Sequence, residues 1–146
     1  MSDKKLTPPT RSDFVIFEEI HSRWMDNDAY GHINNIVYYS FFDTAVNRYL
    51  IKCNVLDILK SEAIGFVIET QCQYFSPIAY PDMIHVGLKV IHLGNSSVKY
   101  EVAIFKNDDD LASATGSFVH VYVNRSTNKP TPIPQNVREV LAGLIL

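Results

Sequence analysis

Two periods of hydrophobic positions divide the chain. From residue 35 to 52 the segment NIVYYSFFDTAVNRYLIK has no glycine or proline, and its polar residues Ser40, Asp43, Thr44, Asn47 and Arg48 recur three and four apart. That spacing gathers them on one stripe of a helix and leaves a wide apolar face, so a helix mostly covered by protein is expected. After Gly65 the period becomes two. Ile84, Val86, Leu88 and Val90 alternate with His85, Gly87, Lys89 and Ile91, and Val98, Tyr100, Val102 and Ile104 alternate with Lys99, Glu101, Ala103 and Phe105. Alternation of this kind predicts half-buried strands over residues 84–92 and 98–106. Residues 66–75 and 111–124 read the same way, and residues 14–24 form a less regular first strand.

Turn chemistry at Ser76-Pro77, Gly94-Asn95 and the run Asn107-Asp108-Asp109-Asp110 separates these strands. Short connections favour antiparallel neighbours. A short helical turn is expected over residues 55–61, and after Pro130, Pro132 and Pro134 the spacing of Val137, Val140, Leu141 and Leu144 predicts a closing helix. The expected fold class is α+β: one strand, one long helix, then four antiparallel strands forming a curved sheet wrapped around that helix. Residues 1–12, with Pro8 and Pro9, read as a flexible N-terminal arm and residues 13–146 as a single domain. The open edges of such a sheet call for pairing across a two-fold axis, so at least a dimer is expected.

Composition narrows the function. With 146 residues, 47% of them hydrophobic, the chain suits one ordinary globular domain. A net charge of -3 with scattered lysines and arginines provides no basic field for nucleic acid. The first apolar run, residues 14–17, is too short for a signal core or a spanning helix, so no membrane partner and a cytoplasmic location are expected. Cys53 and Cys72 lie far apart and read as reduced, buried thiols.

The chemistry concentrates in WMDNDAYGHINN, residues 24–35, immediately before the long helix. Asp26-x-Asp28-x-x-Gly31 resembles the start of an EF-hand loop, but Tyr30 and Val37 stand where that loop needs oxygen ligands. A metal site from Asp26, Asp28 and His32 lacks further ligands. A purely structural reading takes the aspartates and Gly31 as turn formers and Asn34 as the helix cap, with Asp26 a turn residue near Arg23. A functional reading uses the same geometry: the helix start offers unpaired N–H groups and the positive end of the dipole to an oxygen gaining charge. A carboxylate a few residues upstream then faces a carbonyl gripped by those groups, an arrangement suited to acyl transfer to water.

The run from Asp26 through Gly31, His32, Asn34 and Asn35 to Tyr38 resembles the D-x-D-x-x-G-H-x-N-N-x-x-Y signature of hotdog-fold acyl-CoA thioesterases of the 4-hydroxybenzoyl-CoA thioesterase type. The resemblance continues through Tyr74-Phe75-Ser76-Pro77, Tyr80-Pro81-Asp82, Gly94-Asn95-Ser96-Ser97, the small residues from Ala112 to Gly116, and Pro132-Ile133-Pro134. It implies a five-stranded antiparallel sheet around a central helix, homodimers or homotetramers with sites at the subunit interface, an acyl-CoA substrate and no metal or other cofactor. It further implies that Asp28 is the catalytic base or nucleophile and that the Asn35 amide polarises the thioester carbonyl. Gly31, His32, Asn34 and Tyr38 belong to the same motif and would shape the loop, cap the helix and line the pocket.

Other residues carry weaker signals. Asp43 is the only carboxylate on the long helix and reads as a subunit contact or solvent residue; Glu69 reads as exposed; His85, His92 and His120 read as surface or packed histidines. No serine sits in a nucleophile elbow and neither cysteine has a glycine loop beside it. Lys89, Lys99 and Arg125 are candidates for CoA phosphates, or else solvated charges. Trp24, Tyr30, Phe66 and Tyr74 either line the acyl pocket or belong to the core. The readings carried forward are an acyl-CoA thioesterase, an acyl-carrier-protein thioesterase and a non-catalytic acyl-binding dimer.

Overall fold

The computed structural model describes residues 7–146; the first six residues of the expected arm lie outside it. Helix α1 (Asn35–Lys52) has the bounds that the polar stripe predicts, and it buries Tyr38, Phe41, Phe42, Ala45, Val46 and Leu50. Five strands face it: β1 (Ile16–His21), β2 (Ala63–Tyr74), β3 (Met83–Leu93), β4 (Ser97–Lys106) and β5 (Ala114–Asn124). They form one antiparallel sheet in the order β1-β3-β4-β5-β2, so β1 and β2 are its edges.

The alternation in β3 and β4 reaches the core as expected. Ile84, Val86, Leu88, Val90, Val98, Tyr100, Val102 and Ile104 are each at most 2% exposed and join the helix residues in one cluster. Each such aliphatic side chain contributes roughly 1.5–3 kcal/mol by leaving water, which is what presses α1 onto the sheet. Helix α2 (Gln135–Ala142) adds Val137 and Leu141, with Leu144 beyond its end. Among the described residues, no helix is long and apolar enough to cross a membrane.

Several boundaries differ from the expectations. The first strand is limited to Ile16–His21, because Trp24 enters a 3-10 turn. Residues 55–61 contain hydrogen-bonded turns but no helix; Asp57 holds that segment through its side chain, accepting from the Leu59 and Lys60 N–H groups. The last strand begins at Ala114, and Leu111 instead makes an isolated bridge to Thr10. The outer face of β4 is covered where Phe14 stacks edge-on against Phe105 at 5.9 Å, so Ala103 and Phe105 are buried although the period places them opposite the core. Arg11 fastens the segment preceding Phe14, donating to the carbonyls of Asp109 and Asn107.

Two buried polar groups matter for stability. Glu18 on β1 is 4% exposed and accepts from Arg48 and Lys52 of α1, each at 2.9 Å, tying the helix to the sheet edge. His120 on β5 is packed among Tyr100, Phe118 and Tyr122, and burial pushes its pKa down to about 4. Because the folded value lies below that of a free imidazole, the unfolded chain binds the extra proton. Stability from this group is therefore fully present above about pH 6.5 and is lost as pH falls towards about 4, amounting to roughly 3 kcal/mol. We expect urea unfolding to show a steeper loss of stability between pH 6.5 and 4.5 for the wild type than for His120→Phe, in which this proton linkage is absent.

Candidate functional site

The loop before α1 is a tight return. Asn27 and Ile33 form an antiparallel bridge, the Asp28 N–H donates to the His32 carbonyl at 2.8 Å, and the Gly31 N–H donates to the Asp28 carbonyl at 3.1 Å. Gly31 closes the turn with φ +81, a conformation that glycine adopts without the Cβ penalty. Nothing lies within 4 Å of a Cβ placed there, so the constraint is backbone conformation and not space.

Asp26 and Asp28 have different surroundings. Asp26 is 2% exposed; its carboxylate accepts from the Arg23 N–H at 2.8 Å and from the guanidinium at 3.0 and 2.9 Å, and its carbonyl accepts from Asn34 N–H at 2.9 Å. It is a structural brace between the 3-10 turn and the helix cap. Asp28 is partly buried, and its Oδ1 accepts from the Tyr30 N–H at 2.8 Å.

The helix start is held from three sides. Asn34 Oδ1 accepts from the Ile36 N–H at 3.2 Å, the Ile33 N–H donates to the Ile78 carbonyl at 2.7 Å, and the Tyr74 hydroxyl donates to the Asn35 carbonyl at 3.2 Å. Among the described residues, the Asn35 N–H meets no acceptor. It stands at the N-terminus of an 18-residue helix, where the unpaired donors and the dipole favour negative charge.

A groove of about 310 Å³ opens at this point, lined by His32, Asn35, Tyr38, Tyr74, Ser76 and Pro77 among others. Three of the motif residues, His32, Asn35 and Tyr38, therefore share one wall. Gly31, Asn34 and Asp28 do not line it; they build the return that carries His32 to it. The Tyr38 and Tyr74 rings meet edge-on at 4.9 Å. Burial, followed by the neighbouring Cys72, pushes the Tyr38 hydroxyl up to about 12, and burial likewise raises Tyr74. Burial holds the Cys72 thiol up at about 11, so it is protonated at neutral pH and unsuited to act as a nucleophile.

Several candidates lie elsewhere. Trp24 and Tyr30 are 81% and 88% exposed, and Phe66 is on the β2 edge. Asp43 and Glu69 are exposed, with Asp43 accepting from Asn47 one turn on. Lys89 pairs with Glu101 at 3.3 Å, Arg125 donates to the carbonyls of Ile58 and Leu59, and Lys99 lines a separate depression with Gln71 and Gln73, so these three do not gather into one cluster. His85 contacts Arg11 and Glu19 on the β1 edge, and His92 is exposed. The sequence reading did not assign the segment Ser76-Pro77 to the site; its only signal was the resemblance running through Tyr74-Phe75-Ser76-Pro77.

The free amide of the helix start thus opens beside the groove, and the carboxylate of Asp28 stands on the return that leads to it. Residues 22–141 match the thioesterase-like superfamily, and the chain belongs to that superfamily. It is 51% identical to the PA5185 protein from Pseudomonas aeruginosa strain PAO1, whose crystal structure superposes with a TM-score of 0.93 over 94% of this chain and 96% of that one. It is 23% identical over 131 residues to the uncharacterized protein YsmA of Bacillus subtilis (strain 168), covering 90% of this chain and 88% of that protein. Slr0204, a 1,4-dihydroxy-2-naphthoyl-CoA thioesterase from Synechocystis, shares the fold with a TM-score of 0.78 and 16% identity over 86% of this chain and 94% of that one. The five-stranded antiparallel sheet with its helix is consistent with the hotdog thioesterase fold.

The contrast between the two aspartates is testable. Replacing Asp26 with Asn removes charge-assisted bonds from a buried carboxylate and should cost about 1–3 kcal/mol, whereas Asp28→Asn retains an acceptor for the Tyr30 N–H and should leave stability within about 0.5 kcal/mol. Urea denaturation of the two variants measures both.

Proposed function

We propose that the protein is an acyl-CoA thioesterase of the 4-hydroxybenzoyl-CoA thioesterase type, hydrolysing a thioester to a free acid and CoA. The observation that carries this reading is the unpaired Asn35 N–H at the start of α1, opening beside a groove lined by His32 and Tyr38. In this proposal the thioester carbonyl docks against the Asn35 amide. Asp28, on the adjoining return, acts as general base on water or attacks the carbonyl carbon. As base, Asp28 takes a proton from the water that adds to the carbonyl carbon; as nucleophile, it forms a mixed anhydride that water then hydrolyses to the free acid; in both, the carbon–sulfur bond breaks and the CoA thiolate takes up a proton from that water. A positioned base contributes about 10²–10⁴ in rate, and one oxyanion donor about 3–4 kcal/mol. Gly31 and Asn34 shape and cap this arrangement, and Tyr38 lines the pocket.

The active assembly in this reading is a homodimer or larger. β2 is a 12-residue edge strand, and Phe66, Val67 and Ile68 on it are 40%, 45% and 62% exposed. A long apolar edge of this kind is relieved by pairing with its own copy across a two-fold axis. Ile68→Lys should shift the protein towards monomer in sedimentation velocity.

The central test is thiol release from a panel of acyl-CoAs by the purified protein and by Asp28→Asn. We expect kcat to fall by more than about a hundredfold in the variant with unchanged circular dichroism. Near-wild-type turnover by folded Asp28→Asn would remove Asp28 from the reaction, and release of no thiol from any acyl-CoA by the wild type would overturn the assignment.

A further inference from the structure

Tyr74, the last residue of β2, has two separable contacts with α1. Its ring meets Tyr38 edge-on at 4.9 Å, and its hydroxyl donates to the carbonyl of Asn35, the first residue of the helix, at 3.2 Å. A carbonyl in the first turn of an α-helix already accepts from the amide four residues on. The Tyr74 bond therefore uses the second lone pair, and the carbonyl stays paired without it. Among the described residues it is the one hydrogen bond between residue 35 and the sheet. The neighbouring ties act on residues 33, 34 and 36: the Ile33 N–H donates to the Ile78 carbonyl, the Asn34 N–H donates to the Asp26 carbonyl, and the Asn34 side chain caps the Ile36 N–H.

The base from which Tyr74 reaches is firmly held. It pairs with Ala114 of β5 in the ladder, and the next two residues are gripped by one buried serine. The Phe75 and Ser76 N–H groups both donate to the Ser113 carbonyl, at 2.8 and 3.2 Å, and the Ser113 N–H donates to the carbonyl of Ile104 at 2.7 Å. Ile104 lies on the inner face of β4, within the main core. A continuous path therefore runs from the core through Ser113 and the end of β2 to the first residue of α1. Burial raises the Tyr74 pKa above that of a free phenol, so the hydroxyl keeps the proton that it donates.

We propose that Tyr74 is a positioning residue, whose hydroxyl fixes the direction in which the unpaired Asn35 N–H meets a thioester oxygen. Its chemical consequence rests on the thioesterase reading. Helix ends fray, and a first turn held only through its own loop keeps some of that freedom. A donor stabilises developing charge when it is aimed before the charge appears, and a misplacement of about 1 Å costs up to roughly a hundredfold in rate. One bond from a strand end anchored in the core restrains the amide at the point where this matters. Ring and hydroxyl then have different duties: the ring packs on Tyr38 and walls the groove, and the hydroxyl holds the helix start. Loss of the hydroxyl alone should slow the chemical step and spare both substrate binding and the fold.

Tyr74→Phe removes the hydroxyl and keeps the ring. With an acyl-CoA that the wild type cleaves, we expect kcat to fall by about tenfold while KM stays within about twofold and the urea midpoint does not move. Tyr74→Leu, which removes the wall as well, should lose kcat to the same extent and also raise KM. A second arm needs no substrate: backbone amide relaxation, measured by NMR on the full chain, gives the order parameter of the Asn35 N–H. We expect that value to drop towards that of mobile backbone in Tyr74→Phe, with Val46 and Leu50 further along the helix unchanged. An unchanged kcat in Tyr74→Phe, or a loss carried by KM alone, would overturn the proposal. So would a urea midpoint lowered enough to account for the lost activity, because the hydroxyl would then be holding the fold. If the wild type releases thiol from no acyl-CoA, the thioesterase reading fails and the relaxation data decide the tether by themselves: a more mobile Asn35 amide upholds it, and an unchanged one overturns it.

Discussion

The burial of one face of α1 against the sheet is the contact on which the rest depends. Tyr38, Phe41, Phe42, Ala45, Val46 and Leu50 enter the same cluster as the inner residues of β3 and β4, and this fixes the helix in rotation and in height above the sheet. Glu18, between Arg48 and Lys52, adds a bond to the β1 edge that ties down the second half of the helix. With the body of the helix immobilised, its first turn can be placed by a few hydrogen bonds from Asn34, Ile78 and Tyr74. A helix end held in this way offers its free amide in a fixed direction without further reorganisation, which is the condition under which such a donor stabilises developing charge.

The same burial sets the electrostatics around that end. Tyr38 and Tyr74, which line the groove beside α1, are both pushed towards their neutral forms by desolvation, as is the neighbouring Cys72. Asp26 is consumed by Arg23 and the turn it closes, whereas Asp28 makes one bond to Tyr30. Two carboxylates separated by one residue thus differ in what they hold. One stabilises the loop, and the other is the candidate for chemistry.

Much of the framework could be read from the chain. The polar stripe from Ser40 to Arg48 specifies a helix because the 3.6-residue period admits few alternatives over eighteen positions. Alternation in β3 and β4 specifies strands with one buried face for the same reason. Boundaries were less legible where a local side chain overrode the period: Trp24 in its 3-10 turn, Asp57 capping a turn through the Leu59 and Lys60 amides, and Leu111 bridged to Thr10. The burial of Ala103 and Phe105 under Phe14 could not be read at all, because it depends on a segment nearly ninety residues away folding back over β4.

The sequence by itself determined which residues form α1 and the inner faces of β3 and β4, and it marked the short run before the helix as chemically unusual. Local periodicity and turn preference are enough for that, since they act between residues a few positions apart. Only the tertiary structure decided that His32, Asn35 and Tyr38 share a groove with Ser76 and Pro77, that Asp26 is sealed against Arg23 while Asp28 is not, and that the His120 Nδ1 is buried without a partner where Gly65 leaves room for the ring. Those outcomes depend on how distant segments meet, and on which polar atoms lose water without gaining a partner, quantities that no local pattern encodes.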